Sequence, residues 1–129
     1  MKILLDTHVF IWLDSAPENL SQTALNICQN QNNQLYLSIA SVWEMQIKYQ
    51  LGKLNLRLPI AQMLATQQQD NNLKILPIEL NHIYQLRNLL LHHNDPFDRL
   101  LLAQSLQENM SIISADTKFN QYENVIILW

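Results

Sequence analysis

Four of the 11 acidic residues in this 129-residue chain stand where a carboxylate can do chemistry. Asp6 ends the apolar run Lys2–Leu5, and Asp116 follows the run Ser111–Ser114 by two residues. Glu44 lies one turn into the helical stretch after Leu35–Ser38, and Asp98 falls in the first turn opened by Asp95-Pro96-Phe97. In an open parallel sheet, groups just beyond the carboxyl ends of the strands gather on one rim. A buried, isolated carboxylate is expensive unless it is paired or bound to a cation. Several in one cleft repel one another and raise each other's pKa unless a metal compensates. An all-oxygen donor set with no thiolate cluster suits Mg²⁺ or Mn²⁺ better than zinc. Such ions activate water and stabilise the leaving oxygen in phosphodiester hydrolysis.

Each acid also has an ordinary explanation. Asp6 is a favoured N-cap type for the short helix after it. Glu44 stands four residues before Lys48, the spacing of a surface ion pair. Asp98 and Asp95 could form a capping box around Pro96, and Asp116 could start a turn. What sets the four apart is their placement together, after separate strands or in the helices that follow them.

The elements that would position them alternate along the chain. Strands are expected at Lys2–Leu5, Leu35–Ser38, Leu73–Leu76, Ser111–Ser114 and Val125–Leu128. Between them, helical spacing appears at Ser21–Gln29 (Ser21 as N-cap, Leu20 and Leu25 as a staple), at Ala40–Leu51 closed by Gly52, and after Pro59. It appears again at Glu79–Leu91, through Leu80, Ile83, Leu86 and Leu90, and from Asp95 onward. Strand and helix in turn predict a three-layer α/β/α sandwich around a parallel sheet of about five strands, one domain spanning 1–129.

Composition removes other classes. Hydrophobic residues make up 48% and charged residues 15%, a globular balance. The single glycine, Gly52, excludes a dinucleotide fingerprint and a phosphate-cradling P-loop. The single cysteine, Cys28, excludes an intrachain disulfide and a multi-thiolate zinc site, and its place on an apolar helix face predicts an inert core thiol. Charged residues interrupt the first apolar stretch and no run of eighteen apolar residues occurs, so no membrane span is expected and a cytoplasmic protein is.

The stretches Leu4-Leu5-Asp6-Thr7-His8, Ser38-Ile39-Ala40-Ser41-Val42-Trp43-Glu44, Gly52-Lys53-Leu54, Asp95-Pro96-Phe97-Asp98-Arg99 and Ser114-Ala115-Asp116 stand in a specific order. In that order and at those separations they resemble PIN-domain toxins of the VapC type, from Lys2 to Trp129. The resemblance implies a PIN-like fold and a metal-dependent endoribonuclease, the toxin of a toxin–antitoxin pair. It implies Asp6 and Asp98 as main Mg²⁺ ligands, with Glu44 and Asp116 completing the site directly or through water. Thr7 and Ser41 resemble hydroxyl residues that hold the acids or waters in place. Similar proteins form homodimers and are silenced by a small antitoxin. One departure is Asn94, where members of this subgroup often carry a basic residue, which bears on substrate affinity.

The net charge of −3 argues against an RNA partner only until the acids are placed. Setting aside the four candidate ligands leaves 7 acids against 8 bases. Arg99 and Lys48, and after them Lys53 and Arg57, are the candidate phosphate contacts. His92-His93 is a poor metal pair, because adjacent side chains do not share a coordination sphere naturally. His8 is expected to line the cleft as a packed or hydrogen-bonded ring, and Trp12, Trp43 and Trp129 are expected to pack. The face of Trp43, Ile47 and Leu51, with Ile60 and Met63, is expected to bind an antitoxin helix or a second subunit. A signalling receiver domain fits poorly, since Pro77 stands where its phosphoacceptor would be. A degenerate PIN domain that binds without cleaving is the alternative.

Overall fold

The computed structural model describes residues 1–91 and 94–129, so the His92-His93 reading lies outside the described residues. The first apolar run forms β1 (Lys2–Leu5), followed by α1 (Thr7–Ser15), α2 (Gln22–Gln29), β2 (Gln34–Ser38) and α3 (Ile39–Gln50). Then come α4 (Ile60–Asn71), β3 (Lys74–Leu76), α5 (Leu80–Gln85), α6 (Pro96–Glu108), β4 (Ser111–Ile113) and β5 (Ile127–Leu128). Short 3₁₀ turns cover Pro17–Asn19, Leu86–Asn88 and Thr117–Gln121. All strand pairings are parallel, in the order β3-β2-β1-β4-β5.

Helices cover both faces of the sheet, as its apolar strands require. Successive side chains on β1 divide between two cores. Ile3 and Leu5 join Val9 and Phe10 of α1, Ala24 and Cys28 of α2, Met45 of α3 and Met63 of α4. Leu4 joins Leu101 and Leu102 of α6 and Phe119. This is the three-layer α/β/α sandwich expected, with five strands. Cys28 is buried in the first core, where loss of hydration pushes its thiol up to about 11. Among the described residues, no helix is long and apolar enough to cross a membrane.

Local chemistry sets the helix ends. The Ser21 hydroxyl accepts from the Ala24 N–H at 3.0 Å. At the end of α3, Gly52 adopts φ +71°, and the N–H groups of Gly52 and Lys53 donate back to the carbonyls of Tyr49 and Lys48. That is a Schellman closure, for which a left-handed residue is needed. With one glycine in the chain, Asn72 (φ 54°) and Asn109 (φ 55°) serve at the left-handed ends of α4 and α6.

The main departure is the segment expected as one helix over Glu79–Leu91. Only α5 and a 3₁₀ turn form there, and Leu80, Ile83 and Leu90 are exposed while His82 is buried. Carbonyls that would have continued the helix are taken by side chains instead. Arg99 donates to the Leu86 and Leu90 carbonyls at 3.3 and 2.9 Å, and the Tyr122 hydroxyl donates to Leu90 at 2.8 Å. His82 is held from both ring nitrogens, by the Glu79 N–H at 3.0 Å and by Glu108 at 3.1 Å. β5 is also shorter than expected, with Val125 buried ahead of it.

Candidate functional site

β2 and β3 lie to one side of β1, and β4 and β5 to the other. The chain therefore reverses its winding direction between β1 and β4, where doubly wound sheets open a crevice at their carboxyl rim. Asp6 leaves β1 at that point and Asp116 leaves β4 there. Together with His8, Trp12 and Ala115 they line a pocket of about 380 Å³.

Asp6 takes the N-cap position of α1, but its side chain makes no capping bond. Its carboxylate instead accepts from the Ser114 hydroxyl at 2.7 Å, across the β1–β4 junction. The same hydroxyl oxygen accepts from the Asp116 N–H at 3.0 Å, so one serine ties both acids. Burial raises the Asp6 carboxyl above the usual range. The Ser114 hydroxyl, the His8 charge and the Thr7 N–H act against that rise, and Glu44 adds to it.

Glu44 is buried, so its pairing with Lys48 is no ordinary surface ion pair. Lys48 Nζ stands 2.9 Å from Oε2, while Thr7 Oγ1 stands 2.7 Å from Oε1 and 2.9 Å from Ser41 Oγ. A carboxylate can only accept, so the Thr7 proton goes to Glu44 and the Ser41 hydroxyl donates to Thr7. Thr7 thus bonds Glu44 directly, and Ser41 reaches it only through the Thr7 hydroxyl. The Lys48 ammonium is stabilised first by its bond to Glu44, and also by the charges of Glu44, Asp95 and Asp98.

Asp95 caps α6, accepting from the N–H groups of Phe97 and Asp98 at 2.9 and 3.2 Å. Pro96 occupies the first helical position, where a missing N–H costs nothing. Asp98, one turn in, is half-buried. Loss of hydration pushes its carboxyl up to about 8, and the charges of Asp6, Asp95, Glu44 and Asp116 push the same way. The four candidate acids therefore share one electrostatic neighbourhood.

The arrangement is looser than a finished ligand set. Among the described residues, no three His, Cys, Asp or Glu side chains are grouped closely enough to hold a metal ion. Asp116 also caps the 3₁₀ turn after it, accepting from the Lys118 N–H at 2.9 Å. In donor chemistry the set nonetheless fits a hard divalent cation: it is all oxygen, partly buried and mutually repelling.

Several expected residues behave differently. Arg99 commits two guanidinium donors to the Leu86 and Leu90 carbonyls, which makes it a clamp on the polypeptide and not the leading phosphate contact. Lys53 and Arg57 are exposed in the loop between α3 and α4. Met63 is fully buried and Ile60 packs on the same core, so neither belongs to an outward apolar face. Trp43 and Leu51 do, at 59% and 63% exposure. Ser114 had been given no role from the sequence. Its position two residues before Asp116 is the spacing at which a serine side chain bonds the backbone N–H, and that was the available signal.

The PIN domain family matches residues 3–125, and the chain belongs to that family. No curated protein sequence matches it. Among solved structures it is similar to VapBC2 from Rickettsia felis bound to a promoter DNA fragment, with 17% identity, 98% of this chain and 97% of that one covered, and a TM-score of 0.71. VapBC-1 from nontypeable Haemophilus influenzae gives 20% identity, 98% and 96% coverage, and a TM-score of 0.70. VapBC-5 from Mycobacterium tuberculosis, a member of a family of toxin–antitoxin systems, gives 17%, 98% and 96%, and 0.62. At such identities the likeness is one of fold.

Proposed function

We propose that this chain is a divalent-metal-dependent endoribonuclease of the VapC type, the toxin of a toxin–antitoxin pair acting in the cytoplasm. The observation that carries the reading is the shared field of the four acids: burial first, and then the charges of Asp6, Asp95, Glu44 and Asp116, push the Asp98 carboxyl up to about 8. Family membership and the VapBC neighbours support it.

Asp6 and Asp98 would be the main ligands, with Glu44 and Asp116 joining directly or through water. A Mg²⁺ or Mn²⁺ ion held by these residues would supply an activated water and charge compensation at the leaving oxygen. The chain supplies the positioning: Ser114 orients Asp6 and Asp116, while Thr7 and Ser41 orient Glu44. Lys48, beside Glu44 and within the field of Asp98, is the basic group best sited to meet a phosphate. Purified protein should cleave RNA in Mg²⁺ or Mn²⁺, stop in excess EDTA and remain folded. Cleavage that persists in EDTA would sink the reading.

For partners, the exposed apolar side of α3 supports an antitoxin helix or a second copy of the chain. A protein that stays monomeric and binds nothing encoded beside it would count against both. One observation favours a second reading, a binding module without turnover. Glu44 spends both oxygens on Thr7 and Lys48, and no three acids already meet among the described residues. Thermal melting separates the two: a catalytic site gains stability from Mn²⁺ through Asp98, and a bare module does not.

A further inference from the structure

The carboxyl rim carries a second chemistry beside the acids. α1 begins immediately after Asp6, and His8 and Trp12 stand one turn apart on it, so both face the same side. Both line the pocket that Asp6 and Asp116 line. Trp129 directly follows β5, the strand beside β4, and its indole meets Trp12. Trp12 meets both other rings: His8 at 6.0 Å and 47°, and Trp129 at 6.0 Å and 52°. A tilted pair does not close face on face, so each ring keeps a face that its neighbour leaves uncovered. Trp129 is 41% exposed, His8 is exposed, and Trp12 is half-buried at its base against the core.

Packing alone explains the buried side of Trp12. It does not explain why two rings line an acidic pocket and one of them meets an indole that is 41% exposed. We propose that Trp12 and Trp129, continued by His8, are a base-stacking surface that positions an unpaired nucleotide beside the cation site proposed at Asp6 and Asp116. The proposal rests on the ribonuclease reading of the acidic rim and adds to it how the substrate is gripped. Lys48 meets a phosphate only from its bond to Glu44, and Arg99 is held by carbonyls, so charge alone gives a limited grip beside the acids. Affinity then comes from rings, which accept any base face and favour purines over pyrimidines for their larger area. A base held in a duplex has no free face to offer, so the surface selects single strands.

The test measures binding with Ca²⁺ in place of Mg²⁺, so that RNA is held without turnover. The probes are a short oligoadenylate, an oligouridylate and an abasic ribose-phosphate chain of equal length, followed by affinity and by indole fluorescence. Affinity should fall in that order, with a total span of about 5- to 150-fold. Only the two base-bearing probes should quench the indoles. Trp12→Ala and Trp129→Ala should bring the three affinities together and raise KM far more than they lower kcat. Trp12→Phe should restore most of the difference, which a mere folding defect would not. Equal affinity for all three probes, in a protein that still cleaves RNA, overturns the stacking surface and leaves the nuclease standing. Wild-type protein that neither binds nor cleaves any of them overturns both.

Discussion

Asp98 is the residue on which the electrostatics turn. An ordinary aspartate titrates near 4 and this one is pushed to about 8. Between those values the folded chain binds more protons at this position than the unfolded chain, so stability falls as pH rises. Its contribution is whole below about pH 4 and is lost as pH climbs through about 8. The metal-free protein should therefore melt at a lower temperature at pH 8 than at pH 6, and Asp98→Asn should flatten that difference. Parallel pH profiles for the two proteins would show that Asp98 is not strained. The same variant should lose cleavage with thermal stability kept or raised, because the amide relieves repulsion but lacks the charge a hard cation requires. Mn²⁺ should stabilise the wild type most at high pH, where the carboxylates are free to bind it. At the neighbouring acid, Thr7→Val removes the hydroxyl that holds Glu44 Oε1. A buried acceptor left unmet costs about 1–3 kcal/mol, read by thermal or denaturant unfolding.

At the scale of elements, the helix ends were the most readable part of the chain. Ser21, Gly52, Asp95 and Pro96 act through their own backbone neighbours, and such effects are written in adjacent letters. Asp95→Ala should destabilise by roughly 0.5–2 kcal/mol and Asp95→Asn hardly at all, since Asn caps equally well. The strand ends carrying Asp6 and Asp116 were readable for the same local reason. What local pattern could not reveal was anything decided by distant partners. The leucines of the segment from Glu79 to Leu91 have helical spacing, but Arg99 and Tyr122 take its carbonyls from elsewhere in the chain. Arg99 lies beside Asp98 in sequence, yet its guanidinium reaches back toward α5. Arg99→Ala should thus cost about 1.5–3 kcal/mol of stability while RNA affinity holds, and Arg99→Lys should not rescue it, because an ammonium lacks the planar fork. Weaker RNA binding with unchanged melting would restore the phosphate role. The Ser114–Asp6 bond joins positions 108 apart, a link no spacing rule within one segment can anticipate.

For the molecule as a whole, the outward side of α3 is the plainest sign of incompleteness. Trp43, Tyr49 and Leu51 are all more than half exposed, and Trp43 meets Phe97 of α6 edge-on at 5.3 Å. Trp43→Ala and Leu51→Asp should leave the melting temperature within a few degrees and weaken association with the antitoxin or second subunit, measured by co-purification and by sedimentation. Undiminished association would move the interface elsewhere. The pairing of β1 with β4 has a different reach. Ile3 aligns with Ser111 and Leu5 with Ile113, so β1 is completed by a strand made long after it. During synthesis the ribosome releases β1 long before its neighbour exists, and long-range parallel pairings of this kind form slowly even then. Until Ser114 and Asp116 emerge, the acidic rim cannot assemble, and on the ribonuclease reading proposed above the nascent chain is harmless to the message being read. An inhibitor of the kind proposed gains that interval to be waiting when β4 docks on β1.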